Sequence, residues 1–471
     1  MKNAPRQTKI IATIGPATES PEMLEKLVLA GMSIARINMS HASHEQMKRI
    51  VSALREISER TGITVSTLMD TQGPAIRTGD LSTKLNLKAG DVIALTVKGE
   101  KSEEEFSVDV NYDDLVDDIQ LGDVVMVDNG EIQLQVLEKK RNQLRCEVLT
   151  PGLLGSRRHI NLPGVRVNLP GLTEKDLRDI EAGIEAEVDF IAMSFVRDAD
   201  DVMKLKGILD YHNGKQQVIA KLEDQEGIRK LDEIISAADG IMVARGDLGI
   251  ECPFEELPII QRRIVKDCIR VGKPVIVATH MMESMISNPS PTRAEITDVA
   301  NAVFEQADAI MLSGETTVGK YPLQCVEIMG RVAGRIEQSG GAGYSEQAQL
   351  DTDYAKLVKS ACVLAGDIKA EAIIVFTRSG GMARNAAWMR PHAIPIYAMA
   401  EERTLLRQLP LYRAVHPFEM TLGDDPTSNV RDAMKLLKSR GYLESGDQIV
   451  AVTEVKQGDK IIDTIQMEQV D

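Results

Sequence analysis

The chain has 471 residues, of which 43% are hydrophobic and 27% charged, a composition typical of globular proteins that do not enter membranes. The formal net charge of −16 argues against nucleic acid or an anionic membrane as a partner, and any anionic substrate needs a local basic pocket. The longest apolar runs are too short to span a membrane, and Met1–Arg6 lacks the apolar segment of a secretory signal. The five cysteines include no CxxC pair, which favours a reducing compartment. We therefore expect a cytoplasmic protein.

Short apolar runs recur along the chain, and most are followed by a segment with helical periodicity. Runs of this length, buried on both faces, are typical of parallel strands. Eight of them alternating with helices predict an α/β protein built on a (β/α)8 TIM barrel. The runs are Lys9–Ile14, Ser33–Ile37, Thr64–Met69, Phe190–Ser194, Val218–Leu222, Ile241–Ala244, Pro274–Ala278 and Ala309–Leu312.

The segment between the third and fourth runs is predicted to be an inserted all-β domain. Ile132, Leu134 and Val136 alternate with glutamines, which is the pattern of a half-buried strand. Asp128-Asn129-Gly130 just before them predicts a hairpin turn, because Asn and Gly tolerate positive φ. At the top of a barrel strand, such an insert is placed to act as a lid that excludes water.

The chain changes character after Glu337. The small-residue run 338–343 is typical of a linker, and Ala372–Phe376, Ile394–Ala398 and Gln448–Val452 are predicted strands of a C-terminal α/β domain. A helix-like segment, Asn429–Lys438, lies between them. We therefore predict a catalytic barrel over 1–72 and 171–337, the β lid over 73–170 and the C-terminal regulatory domain over 344–471.

Charged residues stand where successive barrel strands are predicted to end. Lys221 and Glu223 close the fifth strand, and Asp247 follows the sixth. Catalytic residues of such barrels lie at this rim, where two carboxylates can hold a divalent cation and a lysine can neutralise a phosphoryl group. On these residues alone, a buried Lys–Glu ion pair beside a glycine turn explains the pattern equally well.

Two arginines extend this cluster into a basic pocket. Arg36 closes the second strand and Arg77 follows the third. A guanidinium group suits carboxylate or phosphate oxygens, although a single arginine is more often part of a surface ion pair. Three cations at three strand ends favour an anion-binding site.

A second constellation consists of oxygen donors with one charge among them. It comprises Asn38, Ser40, Asp70 and Thr71. One carboxylate with neutral oxygens suits a monovalent cation better than a divalent one. A network of caps and turns is the alternative, since these residue types favour such positions.

Taken together, these motifs resemble the pyruvate kinase family along almost the whole chain. The order of the motifs and their placement at successive strand ends make the resemblance specific. The matching stretches are Thr13–Ala17, Arg36–His41, Asp70–Pro74, Ala220–Gly227, Met242–Gly249, Ala278–Met285, Pro291–Glu295 and Met311–Thr316.

The resemblance implies phosphoryl transfer from phosphoenolpyruvate to ADP, giving pyruvate and ATP. It implies that Glu223 and Asp247 bind Mg2+ (or Mn2+) and that Lys221 stabilises the moving phosphoryl group, with Arg36 on the phosphate or the nucleotide. The backbone at Gly246 and Asp247, with Thr279, would hold the substrate carboxylate, and Thr279 would lie near the protonated face of the enolate. The implied K+ ligands are Asn38, Ser40, Asp70 and Thr71. The residues implied to lie along the nucleotide, which brings a second Mg2+, are Thr13, Pro16, His41, Arg77 and Arg158.

Several positions depart from the family pattern. Ala75 stands where potassium-dependent members have Glu and potassium-independent members have Lys, which leaves the K+ requirement open. His280 replaces a Gln beside Thr279, where a neutral packed side chain is the simpler interpretation, and Arg158 replaces a Lys with the charge kept. The segment Val452–Asp459, with Glu454 in place of Gly, lacks the Gly-rich loop that commonly closes the effector pocket.

One further loop predicts regulation. Thr377, Arg378, Ser379, Gly380 and Gly381 follow a strand and precede a helix-like segment, where backbone N–H groups can cradle a phosphate. In the family the matching loop binds a phosphorylated allosteric effector, whereas an ordinary Ser cap with a Gly turn is the alternative. The resemblance also implies a homotetramer. Two rival functions remain: another metal-dependent phosphoenolpyruvate/pyruvate-barrel enzyme, or a non-catalytic metabolite sensor.

Overall fold

The computed structural model of the protein describes residues 5–100, 102–165, 167–457 and 460–471, with side chains described up to 453 and again from 462. The expectation about Glu454 and the segment that follows it therefore lies outside the described side chains. No helix in the described ranges is both long and apolar enough to cross a membrane.

The first part of the chain forms three parallel strands separated by two helices. The strands are almost entirely buried, which explains their continuous apolar sequences. Ser20 and Ser43 cap the two helices with their side-chain oxygens, and Gly62 ends the second with a φ of 70°. The elements are β1 (Lys9–Thr13), α1 (Pro21–Leu29), β2 (Ile34–Asn38), α2 (His44–Thr61) and β3 (Ser66–Asp70).

In its described residues the inserted segment forms β-strands, as predicted, together with one short helix. Its larger sheet has the order β11-β7-β8-β9-β5-β6, and β10 pairs with β4. The predicted turn joins β7 to β8, and Asp128, Asn129 and Gly130 have φ values of 55°, 57° and 84°. The elements are β4 (Leu85–Leu87), β5 (Val92–Val97), β6 (Phe106–Val110), α3 (Leu115–Asp118), β7 (Val124–Val127), β8 (Ile132–Lys140), β9 (Gln143–Thr150), β10 (Gly152–Leu154) and β11 (Ile160–Asn161).

The chain then returns to complete the barrel. The elements are α4 (Glu174–Glu185), β12 (Phe190–Met193), α5 (Ala199–Tyr211), β13 (Gln217–Leu222), α6 (Gln225–Arg229), α7 (Leu231–Ala237), β14 (Gly240–Ala244), α8 (Arg245–Glu251), α9 (Leu257–Val271), β15 (Val275–Ala278), α10 (Arg293–Phe304), β16 (Ala309–Leu312), α11 (Gly314–Thr317) and α12 (Pro322–Glu337). In the described residues, eight parallel strands close in the order β1-β16-β15-β14-β13-β12-β3-β2. Each corresponds to a predicted apolar run, so the barrel prediction is confirmed. Because the strands are parallel, all their carboxyl ends meet at one rim.

The C-terminal part is an α/β unit with a mostly parallel sheet of order β19-β18-β17-β20-β21. The three predicted strands are present, and β21 pairs antiparallel with β20. The elements are α13 (Asp353–Asp367), β17 (Ala372–Phe376), α14 (Gly381–Trp388), β18 (Ile396–Ala400), α15 (Arg403–Gln408), β19 (Val415–Glu419), α16 (Pro426–Ser439), β20 (Gln448–Gln457) and β21 (Lys460–Gln469).

The C-terminal unit is joined to the barrel at the end opposite the rim. Arg390, just after α14, donates to both carboxylate oxygens of Asp308 at 2.9 and 2.6 Å, and Asp308 directly precedes β16. Lys9 at the start of β1 donates to the carbonyl of Val415 at 2.6 Å. The boundaries 72/73, 170/171 and 337/344 stay predictions.

Candidate active site

The barrel rim and the inserted segment enclose a polar cavity of about 390 Å³. Its walls bring together residues that lie far apart in the sequence, because they stand at the ends of several different strands or in the inserted segment. The predicted site residues in its lining are Arg36, Asn38, Ser40, His41, Asp70, Thr71, Arg77, Arg158, Lys221, Glu223 and Asp247.

Lys221 is held at the floor of this cavity by three oxygen partners. Its Nζ lies 3.0 Å from Oδ1 of Asp70, 2.7 Å from Oγ of Ser194 and 2.9 Å from Oε1 of Glu223. Arg36 lies on the other side of Asp70, with Nε 2.6 Å from Oδ2. The ammonium and guanidinium groups are therefore fixed by buried carboxylates before any ligand arrives.

This ion-pair network favours the charged forms of Asp70 and Lys221. Burial opposes ionisation of Asp70, but Arg36 and Lys221 outweigh it and hold the pKa of that carboxyl below its usual value. Burial likewise opposes the charge on Lys221, and Asp70 and Glu223 outweigh it, so that the pKa of the ammonium group is raised. The site thus presents the Lys221 ammonium group to the cavity in its charged form, beside the Arg36 guanidinium group.

Glu223 and Asp247 form the acidic side of the site. Oε2 of Glu223 accepts a hydrogen bond from the backbone N–H of Phe195 at 2.6 Å, and Asp247 lies in the first turn of α8. Burial raises the pKa of Glu223 to about 7; Lys221 opposes this shift and Asp247 adds to it. A divalent cation would offset the charges of these two hard oxygen donors, so the donor set fits Mg2+ or Mn2+. In the described part of the chain, no three His, Cys, Asp or Glu side chains are grouped to hold a metal.

Thr279 and Gly246 lie beside the acidic pair. The Thr279 hydroxyl accepts from the Gly246 N–H at 2.7 Å and donates to the carbonyl of Ala278 at 2.6 Å. Thr279 has a φ of 67°, which is unusual for a β-branched residue and is stabilised by Arg245, whose guanidinium group donates to the Thr279 carbonyl at 2.5 Å. His280, also at positive φ, is exposed and not packed.

The four candidate K+ ligands all reach the cavity wall. Asn38 Oδ1 accepts from the Ser40 N–H at 3.1 Å, and Thr71 Oγ1 accepts from the Ser194 N–H at 3.1 Å. Asp70 supplies the one carboxylate of the set and is 1% exposed. One charge with neutral oxygens fits a monovalent cation, and Ala75, in the same wall, adds no polar side chain.

The candidate nucleotide ligands are only partly gathered. His41 and Arg77 are exposed at the cavity mouth, and Arg158 lies 3.2 Å from Asp128 within the inserted segment. Thr13 is buried below Arg36, from which its hydroxyl accepts at 3.0 Å, and Pro16 is exposed outside the cavity lining.

The predicted effector loop lies in the C-terminal unit, away from this cavity. Gly380 has a φ of 82°, and its N–H donates to the buried hydroxyl of Thr377 at 2.9 Å, so the turn requires glycine. Arg378 and Ser379 are exposed, and Gly381 begins α14. The side chain of Ser379 does not cap the helix.

Sequence reasoning missed Ser194. Its hydroxyl accepts from Lys221 and donates to the carbonyl of Thr71 at 2.8 Å, so it fixes the lysine from the side of β12. Its place at the end of a barrel strand, the position that marked Lys221, could have identified it. His159 and Phe195, which also line the cavity, carried no comparable signal.

A TIM barrel with a polar rim cavity, two cations fixed by carboxylates and a pair of acidic side chains is typical of enzymes that act on small anionic substrates. Comparison with known proteins identifies the family. The family described as "Pyruvate kinase, barrel domain" matches residues 5–326, and "Pyruvate kinase, alpha/beta domain" matches residues 355–467.

Individual relatives agree with this assignment. The pyruvate kinase of Staphylococcus haemolyticus is 41% identical over 470 residues, covering 97% of this chain and 79% of that protein. The chloroplastic pyruvate kinase isozyme G of Nicotiana tabacum is 41% identical over 454 residues, covering 96% of this chain and 80% of that protein. The crystal structure of a pyruvate kinase from Cryptosporidium parvum superposes with a TM-score of 0.93 at 34% identity, covering 100% of this chain and 97% of that one.

The chain belongs to the pyruvate kinase family. It is a phosphotransferase that moves the phosphoryl group of phosphoenolpyruvate to ADP. The alternative of another phosphoenolpyruvate/pyruvate-barrel enzyme is not favoured, because the match extends through the inserted and C-terminal parts.

Proposed function

We propose that the rim cavity performs this transfer, with Lys221 as the group that stabilises the moving phosphoryl group. The observation that carries the proposal is the position of Lys221 Nζ, held within 3.0 Å of Asp70, Ser194 and Glu223. Phosphoryl transfer needs charge placed in line with the oxygens more than it needs covalent chemistry. A lysine fixed in this way requires no reorganisation during the reaction.

We assign the divalent cation to Glu223 and Asp247. Pyruvate kinases use metal ions, and when bound the ion supplies positive charge that holds phosphoenolpyruvate and neutralises its phosphoryl oxygens. Arg36 contacts the phosphate or the nucleotide from the opposite side of Asp70. The backbone at Gly246 and Asp247 holds the substrate carboxylate.

Thr279 is assigned to the protonation step, acting through water. Loss of the phosphoryl group leaves an enolate that takes a proton at carbon, and a threonine hydroxyl is a weak acid. The Thr279 hydroxyl already donates to the Ala278 carbonyl, so its own proton is engaged. This contact supports a water near Thr279 as the proton donor, oriented by that hydroxyl.

The nucleotide and K+ assignments follow the family motifs. We propose that ADP, which brings a second Mg2+, lies along His41, Arg77 and Arg158. Thr13 supports this arrangement by fixing Arg36, whereas Pro16 has no contact that supports its assignment. Asn38, Ser40, Asp70 and Thr71 are proposed to bind K+. We also propose a cytoplasmic homotetramer, in keeping with the family resemblance and with the free thiols in the described part of the chain.

We propose in addition that Thr377–Gly381 receives the phosphate of an allosteric effector. The left-handed Gly380 and the exposed Arg378 and Ser379 support a phosphate cradle at the start of α14.

The test of the metal assignment uses Glu223→Gln and Asp247→Asn. Both amides can still coordinate, but neither offsets the charge of the ion, so we expect each variant to bind Mn2+ more weakly with phosphoenolpyruvate present and to lose nearly all turnover. A coupled assay for ADP-dependent pyruvate formation and a Mn2+ titration by electron paramagnetic resonance measure the two effects. Asp353→Asn, at a fully exposed carboxylate, is the matched control. Titrations that overlay the parental curve for both variants would place the metal elsewhere.

A further inference from the structure

We infer that the inserted domain positions both proposed metal ligands through its return segment, residues 159–161. His159 acts on Glu223 through Phe195, and Asn161 acts on Asp247 through Glu251. This inference rests on the proposed function, since it presumes that Glu223 and Asp247 hold the cation. His159, Asn161 and Glu251 are positioning residues, because none is itself a proposed ligand.

The return segment is fixed within the inserted domain on two sides. The His159 carbonyl accepts from the Asp128 N–H at 2.9 Å, at the turn between β7 and β8. The Ile160 N–H donates to the Ile76 carbonyl at 2.9 Å, in the segment that leaves the barrel after β3. Residues 159–161 therefore move with the inserted domain.

The first connection runs through Phe195. The rings of His159 and Phe195 are 6.1 Å apart between centroids, and the Phe195 N–H donates to Glu223 Oε2 at 2.6 Å. Phe195 has a φ of 53°, a conformation that a bulky residue holds only when its surroundings determine it. The Phe195 ring contacts His159 and also lies close to Gly73. The approach to Gly73 is so close that a Cβ added there would be 2.8 Å from the ring.

The second connection runs through Glu251 at the end of α8, the helix whose first turn carries Asp247. Oε1 of Glu251 lies 3.3 Å from Nδ2 of Asn161, and the backbone carbonyl of Glu251 accepts from Gln225 Nε2 at 2.5 Å. Glu251 is 8% exposed and Asn161 5% exposed, so this contact is largely buried. Gln225 follows Glu223 by two residues, so Glu251 joins both ligand segments.

The same end of α8 is packed against the inserted domain. A Cβ built on Gly130 would lie 3.6 Å from Cγ2 of Ile250, the residue before Glu251. The turn 128–130 and the return segment thus touch α8 at adjacent positions. If the inserted domain moves away, α8 loses both contacts, and the Glu251 carboxyl is left without the Asn161 amide in a buried setting.

The consequence is that the geometry of the cation site depends on the position of the inserted domain. Partners that orient metal ligands without touching the metal influence affinity strongly, and their loss typically weakens binding 10–100-fold. We therefore expect Asn161→Ala and Glu251→Ala each to weaken Mn2+ binding about 10-fold. His159→Leu should have a similar effect through Phe195.

The experiment is a Mn2+ titration by electron paramagnetic resonance with saturating phosphoenolpyruvate and no ADP, so that binding is read without turnover. Thermal unfolding is recorded for each variant. Glu251→Gln keeps an oxygen that can accept from Asn161 and should recover most of the affinity. If Asn161 and Glu251 act through each other, the double alanine variant should lose no more affinity than the worse single variant. Glu104→Ala breaks a pair with Arg145 within the inserted domain at 2.9 Å and serves as the control.

The outcomes separate the inference from the proposed function. Parental Mn2+ affinity in folded Asn161→Ala and Glu251→Ala, with affinity lost in Glu223→Gln, overturns the positioning role alone. Parental affinity in Glu223→Gln and Asp247→Asn overturns the metal assignment itself. If the losses of Mn2+ affinity in Asn161→Ala and Glu251→Ala add in the double variant, the coupling between these two residues is overturned. Should one alanine variant fail to fold, the other still tests the contact between Asn161 and Glu251, and His159→Leu tests the connection through Phe195.

Discussion

Replacing Lys221 with methionine removes the ammonium group but keeps a side chain of similar length. In the folded protein that group satisfies Asp70, Ser194 and Glu223 at 2.7–3.0 Å. After the substitution Asp70 still has Arg36 at 2.6 Å, and Glu223 still accepts from the Phe195 N–H. The variant therefore tests the lysine charge while most of the network survives.

The expected loss in kcat is about 10²–10³, the scale for losing a preorganised charge at the reacting group, which corresponds to about 3–4 kcal/mol of transition-state stabilisation. The KM for phosphoenolpyruvate should rise less, because the cation still holds the substrate. Breaking a buried ion pair costs about 3–5 kcal/mol of stability. We expect a loss of stability at the lower end of this range for two reasons. Asp70 keeps its ion pair with Arg36. Glu223 can take up a proton, because its pKa is already raised to about 7.

Steady-state rates are measured with pyruvate formation coupled to lactate dehydrogenase while both substrates are varied, and thermal unfolding is followed in parallel. Lys48→Met breaks a half-exposed pair with Glu185 at 2.9 Å and should leave kcat unchanged. Ser194→Ala keeps the lysine charge but removes one of its partners, so its loss should be smaller than that of Lys221→Met. A folded Lys221→Met enzyme with a kcat within a few-fold of the parent would refute the role assigned to this lysine.

Three further predictions concern other parts of the molecule. Because Ala75 offers no substitute cation and the four oxygen ligands line the cavity, KCl should stimulate activity over a bulky quaternary ammonium chloride at equal ionic strength; equal rates would argue against the K+ site. Burial, reinforced by neighbouring arginines, lowers the pKa of Lys9 from 10.5 to about 7. Between those pH values the unfolded chain therefore binds a proton that the folded chain does not. Relative to Lys9→Met, the free energy of unfolding of the parent should rise by up to about 4 kcal/mol between pH 7 and pH 10.5. Urea unfolding at several pH values measures this difference, which would be absent if Lys9 were charged in the folded protein. A sugar or nucleoside monophosphate should lower the apparent half-saturation for phosphoenolpyruvate more than fructose 1,6-bisphosphate does, and the effect should be lost in Ser379→Glu. The fluorescence of Trp388, the single tryptophan, at the far end of α14, reports binding. Strong activation by the bisphosphate alone would contradict the prediction.

The barrel strands could be predicted because burial on both faces leaves a continuous apolar run that needs no knowledge of its neighbours. Strand β19 could not, since its sequence contains His416 and Pro417. A proline removes a donor from the sheet and is tolerated at an edge, which is where β19 lies. The two- and three-residue strands of the inserted domain are too short to show an alternating pattern.

The site was predictable wherever a charged residue follows a strand, as at Lys221 and Asp247. Ser194 occupies an equivalent place, but serine is common at strand ends, and its role depends on Lys221 across the barrel. Glu251 and Asn161 are 90 residues apart in the sequence, and only the docking of the inserted domain brings them together. Such contacts depend on tertiary structure and leave no periodic signal.

The charge balance of the rim explains how a protein with a net charge of −16 can accept a phosphorylated carboxylate. Around the transfer site two cations, Arg36 and Lys221, face three carboxylates, Asp70, Glu223 and Asp247, while Arg77 and Arg158 add positive charge to the lining of the same cavity. An anionic substrate alone would add negative charge beside these carboxylates, and a divalent cation alone would add positive charge beside these cations. The two ligands therefore favour each other electrostatically, because each offsets part of the charge that the other brings into the buried site.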